Sequence, residues 1–281
     1  MIRIVLRGRT GNNMFQYALG RALAKKHGVS LVLDASWFNS EGWAEVSHFL
    51  KLPIKAKVIR RFSLASRALR NYGKMHFWEL SNIPILKEPA TDQSFDLKFA
   101  NAPADCILSG FFQSPLYFES IADELKDELK FLIAKGAQIR NSNSLAAKLS
   151  SPNSVAVHVR RGDYLNHPAF AVCDKTYYHN SMARLRDILP MPRFMIFSDD
   201  SPWCRNEFTA PDTEVVDSER AGRNPLHDLH LMSLASHHII ANSSYSWWAA
   251  WLARKPGQQV ILPDRWFAHD ITAPIEEKRW I

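Results

Sequence analysis

Cysteine is scarce: the three present, Cys106, Cys173 and Cys204, are far apart and form no C-x-x-C pair. A disulfide framework and a zinc knuckle are thereby excluded, and the three are read as reduced thiols. Long apolar runs are missing too; stretches such as Trp247 to Ala253 fall far below the roughly 18 residues of a membrane span. The start, Met1 to Arg7, lacks the apolar h-region of a signal peptide and reads as a strand, which makes the expected location cytoplasmic. Acidic residues are absent between Lys51 and Lys74, a segment carrying eight Lys or Arg. Taking those eight from the net charge of +7 leaves the rest of the chain at −1. The basic pI of 9.3 is therefore a property of one segment, which argues against a nucleic-acid groove spread over the protein. With 46% hydrophobic and 22% charged residues among 281, disordered, collagenous and low-complexity architectures are also excluded.

What is present is a period that switches between strand-like and helix-like stretches, the pattern of an α/β fold. Ile2 to Leu6 reads as a strand, Gly8 to Asn13 as a turn, Met14 to His27 as a helix and Ser30 to Leu33 as the strand closing a βαβ unit. From Asp34 to Asn101 tryptophans and prolines interrupt any long period. Cys106 to Phe112 then reads as a buried strand and Tyr117 to Ile133 as a helix. Polar residues 141–144 and 150–153 flank a short helix and mark the expected domain boundary, giving an amino-terminal domain 1–150 and a second domain 151–281. Beyond it, strands are expected at Val155 to Val159, Phe194 to Phe197, Thr213 to Val216, His238 to Ala241 and Val260 to Leu262. Helices are expected at Lys175 to Ile188, Pro202 to Phe208, Pro225 to Ser236 and Ser244 to Ala253. The whole reads as two Rossmann-like domains facing across a cleft, with ligands beyond the strand carboxyl ends.

Three polar clusters fall at such ends. Gly8 to Asn13 combines glycines that permit close backbone approach with the positive end of a helix, fit for an anion or a sugar or for a plain βα turn. His158-Val159-Arg160-Arg161-Gly162-Asp163-Tyr164 crowds two guanidiniums, whose planar forks suit a diphosphate. Its plainer reading is a local ion pair of Arg161 with Asp163 that pins the loop. Asn242-Ser243-Ser244-Tyr245-Ser246 opens a helix with hydroxyls and N–H groups that can cradle a phosphate; capping alone explains one serine. Trp247, Trp248 and Trp251 at helical spacing read as core.

At these clusters the chain resembles the α-1,2-fucosyltransferases of glycosyltransferase family 11. The matching stretches are Gly8 to Ala18, Gly110-Phe111-Phe112-Gln113-Ser114 with Tyr117-Phe118, His158 to Tyr164, Phe197 to Asp200, and Asp228 through Ala241 to Leu252. The resemblance implies a GT-B fold and an inverting, metal-independent transfer of L-fucose from GDP-fucose to the 2-hydroxyl of a terminal galactose in an oligosaccharide or glycolipid. It implies that domain 1–150 serves the acceptor and domain 151–281 binds GDP-fucose. It further implies that Arg160 grips the donor diphosphate with His158 supporting it, and that Ser243, Ser244 and Ser246 form the phosphate-side loop. Asp199 and Asp200 would lie at guanine or ribose contacts, and Arg9 with Asn12 would reach the donor from the other domain. Thr10 and Asn13 depart from the larger apolar residue and Gln of many relatives.

The chemistry agrees with these residues. Breaking a sugar–diphosphate bond passes through an oxocarbenium-like state while charge builds on the departing nucleotide. The chain has no Asp-x-Asp to hold a metal, so Arg160 and the serine-loop N–H groups must neutralise that charge. No cofactor is expected. For the base that takes the acceptor proton, Asp163 and His167 are the candidates, Asp163 serving equally to orient an arginine. Two other classes compete: a metal hydrolase using His227, Asp228, His230, His237 and His238, and a nucleotide-binding non-enzyme. In the basic segment Val58, Phe62, Ala65, Leu69 and Tyr72 alternate at 4-3-4-3 spacing with Arg60, Arg67 and Lys74 opposite. That pattern reads as an amphipathic helix, either solvated and packed on the core or docked on an anionic membrane surface near a lipid-linked acceptor.

Overall fold

The computed structural model describes residues 1–35, 48–59, 82–89, 92–137, 143–217, 224–268 and 280. Among the described residues, ten strands fall into two parallel five-stranded sheets. The chain divides into two compact units, Met1–Leu125 and Lys126–Ile281. The pair of Rossmann-like units expected of a GT-B chain is thus present.

In the first unit, β1 (Ile2–Val5) leads into α1 (Thr10–His27), followed by β2 (Leu31–Asp34), β3 (Lys57–Ile59), β4 (Ile85–Lys87), the single turn α2 (Leu97–Ala100) and β5 (Cys106–Ser109). Strand order is β3-β2-β1-β5-β4, with Ile4 in register with both Leu33 and Leu108. Chain order therefore reverses between β1 and β5, a switch point of the kind where open sheets bind ligands. Alanines and leucines carry α1, which ends at Gly28 with φ 64°, its N–H closing on Ala24 and Lys25 carbonyls.

α3 (Ala122–Gly136) runs across the division, and α4 (Asn143–Leu149) follows. The division therefore lies upstream of the expected boundary at 150/151, with α4 grouped into the second unit. Its side of the fold is tied at Ser154, whose hydroxyl donates to the Ser151 carbonyl at 2.8 Å, just beyond α4.

The second unit is built from β6 (Ser154–Val159), α5 (Lys175–Ile188), β7 (Arg193–Ser198), α6 (Ser201–Glu207), β8 (Thr213–Val215), α7 (Pro225–Leu234), β9 (His237–Ile239), α8 (Ser244–Ala253) and β10 (Val260–Ile261). Strand order is β10-β9-β6-β7-β8, so its switch point lies between β6 and β9. Val155, Val157 and Val159 of β6 point one way into a core shared with Tyr178, Leu185, Phe194 and Ile196. Burying each such side chain contributes about 1.5–3 kcal/mol, and β6 is buried along its whole length. Asp174 and Asn224 cap α5 and α7 by accepting from Tyr177 N–H and His227 N–H.

Two expectations change. The helix pattern beginning at Val58 does not hold there, because Lys57–Ile59 pairs with β2 as an edge strand; Phe62, Ala65, Leu69, Tyr72 and the cations at 60, 67 and 74 lie outside the described residues. And α1 begins at Thr10 rather than Met14, so Gly11, Asn12 and Asn13 form its first turn. No helix among the described residues is long and apolar enough to cross a membrane.

Candidate active site

The loop leaving β6 and the loop leaving β9 emerge side by side at the second switch point, bringing two of the three clusters together. Arg160 is the first residue past β6. Its guanidinium reaches Asp163 at 2.6 Å and Asp199 at 2.9 Å, its side chain only 19% exposed. These pairs use two of its five N–H donors and fix the plane of the fork. Arg161 bonds Asp200 through Nε at 3.0 Å and lies 3.8 Å over the Trp203 ring. Its own N–H donates to the second oxygen of Asp199 at 2.9 Å.

The pairing partners differ from the expected Arg161–Asp163 pair. Asp199 and Asp200, the residues expected near guanine or ribose, also hold the two arginines. The reason is proximity: β6 and β7 are paired in register from Ser154–Arg193 to Val159–Ser198, so the residues just past each strand face one another. Gly162 permits this approach, since a β-carbon there would fall 2.7 Å from an Asp199 oxygen. Two guanidiniums and three carboxylates thus balance nearly evenly, which keeps the arginines from repelling each other.

His158, the last-but-one residue of β6, is 7% exposed and packs its ring 5.5 Å from that of Tyr245. Burial, then the neighbouring Arg160 charge, push its pKa down to about 4 against an opposing pull from Asp199. The imidazole is therefore neutral near pH 7, and its Nδ1 is buried with no hydrogen-bond partner among the described residues.

On the β9 side, Ser243 stands at the N-cap of α8 without using its side chain as a cap. Ser244 opens the helix and is partly exposed. Ser246 is 1% exposed and turns inward, donating to the Ser243 carbonyl at 3.1 Å; it shapes the loop from behind. The loop rests on Trp247, Trp248 and Trp251, all fully buried, with Trp247 and Trp251 stacked at 6.1 Å; the core reading of these rings holds.

Between β6 and α5 the chain makes two 3-10 turns, Asp163–Asn166 and Pro168–Phe170. Tyr164 stacks on Phe170 at 4.9 Å, and its hydroxyl donates to the Asn242 carbonyl at 3.2 Å; burial pushes its pKa up to about 12. Asn242 in turn donates to the carbonyls of Phe170, at 3.1 Å, and Trp266, at 2.9 Å. His167 is exposed on this loop, its ring edge-on to Phe170 at 6.0 Å. Sequence reasoning passed over Tyr164 and Asn242 as working parts, although both lie inside quoted motifs.

Two of the histidines considered as metal ligands, His237 and His238, have their ring nitrogens engaged within the protein. His237 has Nε2 on the Pro152 carbonyl at 3.2 Å and Nδ1 accepting Gln259 N–H at 3.0 Å. His238 has Nε2 on the Met232 carbonyl at 2.9 Å and Nδ1 on Gln258 at 3.2 Å. With both ring nitrogens of each committed, the hydrolase reading falls, and no metal-ligand cluster exists among the described residues.

The first unit carries the remaining cluster at the β1/β5 switch point. Arg9 is exposed at the N-cap of α1, and Gly8 before it has φ 71°. Gln113, past β5, donates to Asn12 Oδ1 at 2.7 Å. Asn13 donates to the Arg7 carbonyl at 3.0 Å, and Gln16 to the Gly110 carbonyl at 2.7 Å, so amides knit the two strand ends together. Glu88, just past β4, was not singled out in the sequence; it accepts from Phe111 N–H at 2.6 Å and Phe112 N–H at 3.1 Å. Burial raises its carboxyl above the usual range, against the pull of those two N–H groups.

The chain matches the model of "Glycosyl transferase family 11" over residues 1–281. It is 29% identical over 276 residues to an alpha-1,2-colitosyltransferase of Escherichia coli, covering 94% of this chain and 92% of that protein. It is 28% identical over 261 residues to galactoside alpha-(1,2)-fucosyltransferase 1 of Bos taurus, covering 88% of this chain and 65% of that protein. Among solved structures it is similar to fucosyltransferase NodZ from Bradyrhizobium, with TM-score 0.47 and 14% identity over 88% of this chain and 90% of that one. With the whole chain matched, and with the motif residues gathered at the two switch points, the protein belongs to glycosyltransferase family 11.

Proposed function

We propose that this glycosyltransferase carries out an inverting transfer of L-fucose from GDP-fucose to the 2-hydroxyl of a terminal galactose. The observation that carries the reading is Arg160, clamped by Asp163 and Asp199 beside the hydroxyl-rich start of α8 at a sheet switch point. The bond from the fucose anomeric carbon to the diphosphate oxygen breaks, and its electron pair leaves with GDP. Arg160 and the first-turn N–H groups of α8, with Ser243 and Ser244, meet the charge that develops there; fixed donors of this kind need no reorganisation as the bond breaks. Neutral His158 backs the same strand end.

The acceptor 2-hydroxyl attacks the opposite face, and its proton passes to a base. Asp163 is bound to Arg160 and so acts first as its positioning partner; His167 stands exposed on the following turn as the second candidate. A metal is not required by this arrangement, since the guanidiniums and the helix start supply the positive field.

The expected result is linkage-defined fucosyl transfer from GDP-fucose to β-galactosides, undiminished in EDTA. Loss of activity in EDTA refutes the metal-free part, and failure with every galactoside while GDP-fucose binds refutes the acceptor. A second donor is favoured by the colitosyltransferase relative. Colitose is fucose without its 3-hydroxyl, and a higher kcat/KM with GDP-colitose than with GDP-fucose would decide for it.

A further inference from the structure

We propose that the loop leaving β5, Gly110 to Ser114, is a sugar-reading subsite: Gln113 Oε1 accepts a hydrogen bond from one hydroxyl of a neutral saccharide, and Glu88 is the positioning residue that holds the loop. The inference deepens the proposed function and rests on it for the identity of the sugars.

Gln113 is 7% exposed and spends its amide N–H on Asn12, which leaves Oε1 buried with no partner among the described residues. Asn13, fully buried in the adjoining first turn of α1, holds its Oδ1 in the same condition. Native proteins seldom keep buried polar atoms unpaired, and two amide oxygens at one sheet switch point call for an explanation. Both orphans are acceptors. A phosphate brings no proton to an acceptor at neutral pH in its fully ionised form, whereas a sugar hydroxyl does.

The loop is also held in a conformation that its residues would not adopt alone. Phe112 has φ 52°, a left-handed value rare for an aromatic residue, and is retained because Glu88 takes the N–H groups of Phe111 and Phe112 together. Phe112 is further packed on Phe99, ring centroids 5.1 Å apart. Gln113 therefore follows a backbone held at Phe111 and Phe112 and is itself tied to Asn12, as a group that must discriminate hydroxyls should be.

The test uses GDP-fucose with methyl β-galactoside and its 3-, 4- and 6-deoxy forms for the acceptor, and GDP-fucose against GDP-colitose for the donor. For the wild type, removing the hydroxyl that Gln113 reads lowers kcat/KM by about 10- to 100-fold, the range expected when a buried acceptor is left unpaired. Gln113→Leu shows that loss with the parent sugar and no longer separates it from the deoxy form; Gln113→Glu, which keeps an acceptor oxygen, restores the separation. Glu88→Gln narrows the discrimination through KM without moving the pH profile of kcat. The arm in which discrimination collapses names the sugar. Wild-type indifference to every deoxy sugar overturns the inference, as does a folded Gln113→Leu that retains wild-type discrimination. If Gln113→Leu melts below assay temperature, the wild-type series and Gln113→Glu decide. Absence of wild-type transfer to any galactoside is a separate outcome that defeats the acceptor reading, and hydrolysis of the two GDP-sugars then still tests Gln113 on the donor side.

Discussion

Replacing Arg160 by alanine separates catalysis from folding. The guanidinium lies at N···O distances of 2.6 Å and 2.9 Å from Asp163 and Asp199, whose side chains are 38% and 26% exposed. Pairs this close to solvent are worth up to about 1 kcal/mol each, so their loss costs about 1–2 kcal/mol. In a protein of this size the melting temperature falls by several degrees, roughly 2–4 °C per kcal/mol. The kinetic loss is larger, because a fixed donor aimed at developing charge is worth about 10²–10³ in kcat. Arg160→Lys keeps the charge without the fork, cannot bridge both aspartates, and recovers only part of the rate. A third readout is independent of rate: Arg160 helps hold the His158 pKa down at about 4, so Arg160→Ala lets it rise. The assays are radiolabelled fucosyl transfer, thermal melting and a histidine NMR titration. A folded Arg160→Ala enzyme retaining more than roughly a tenth of wild-type transfer refutes the assignment, since the donor term in the rate would then be absent.

Three further outcomes are expected. Asp163→Asn and His167→Ala separate base from scaffold: the variant that removes the base loses the acidic limb of the rate profile, while a scaffold variant lowers kcat at every pH. His158 and His238, buried neutral with pKa values near 4 and 3, bind protons on unfolding below the ordinary histidine value of 6.5. The unfolded state then holds more protons, so urea-unfolding stability is full above about pH 6.5 and falls as pH drops towards 4, by up to about 1.4 kcal/mol per pH unit per histidine; flat stability across that window contradicts their burial as neutral rings. Gly8→Ala places a β-carbon 2.1 Å from Asn12 Nδ2 at φ 71°, costing about 1–2 kcal/mol of backbone strain, and displaces Asn12 from Gln113; unchanged stability in urea would contradict the turn geometry.

Much of this was legible in the chain because local and tertiary signals agree where the core is dense. Lys175–Ile188 and Ser244–Ala253 form at the expected bounds, since a capping Asp174 or the Ser243 N-cap position coincides with the start of a buried face. β3 and β4 escaped notice because each has three residues, none fully buried, and exists only through its partner strand. The early start of α1 was hidden by Gly11, Asn12 and Asn13, poor helix formers; Asn13 is held by its side-chain hydrogen bond to the Arg7 carbonyl and Asn12 by one from Gln113, which is distant in sequence. In the site, residue types were readable but pairings were not. Which aspartate meets which arginine depends on the β6–β7 register. Glu88 had no local signal, being a carboxylate in a stretch without period whose meaning arises only from the N–H groups of Phe111 and Phe112.

Asn242 has a further consequence for how such an enzyme can change. Its amide grips the carbonyls of Phe170 and Trp266, atoms that every residue type carries. The side chains at 165, 166, 168, 169 and 171 can thus be exchanged without loosening this tie, whereas Asp163, Tyr164 and Phe170 make side-chain contacts of their own. The outward surface at the exchangeable positions is open to drift while the backbone beneath it stays tied, and Asn242→Asp, which surrenders both donors, would close that freedom at once.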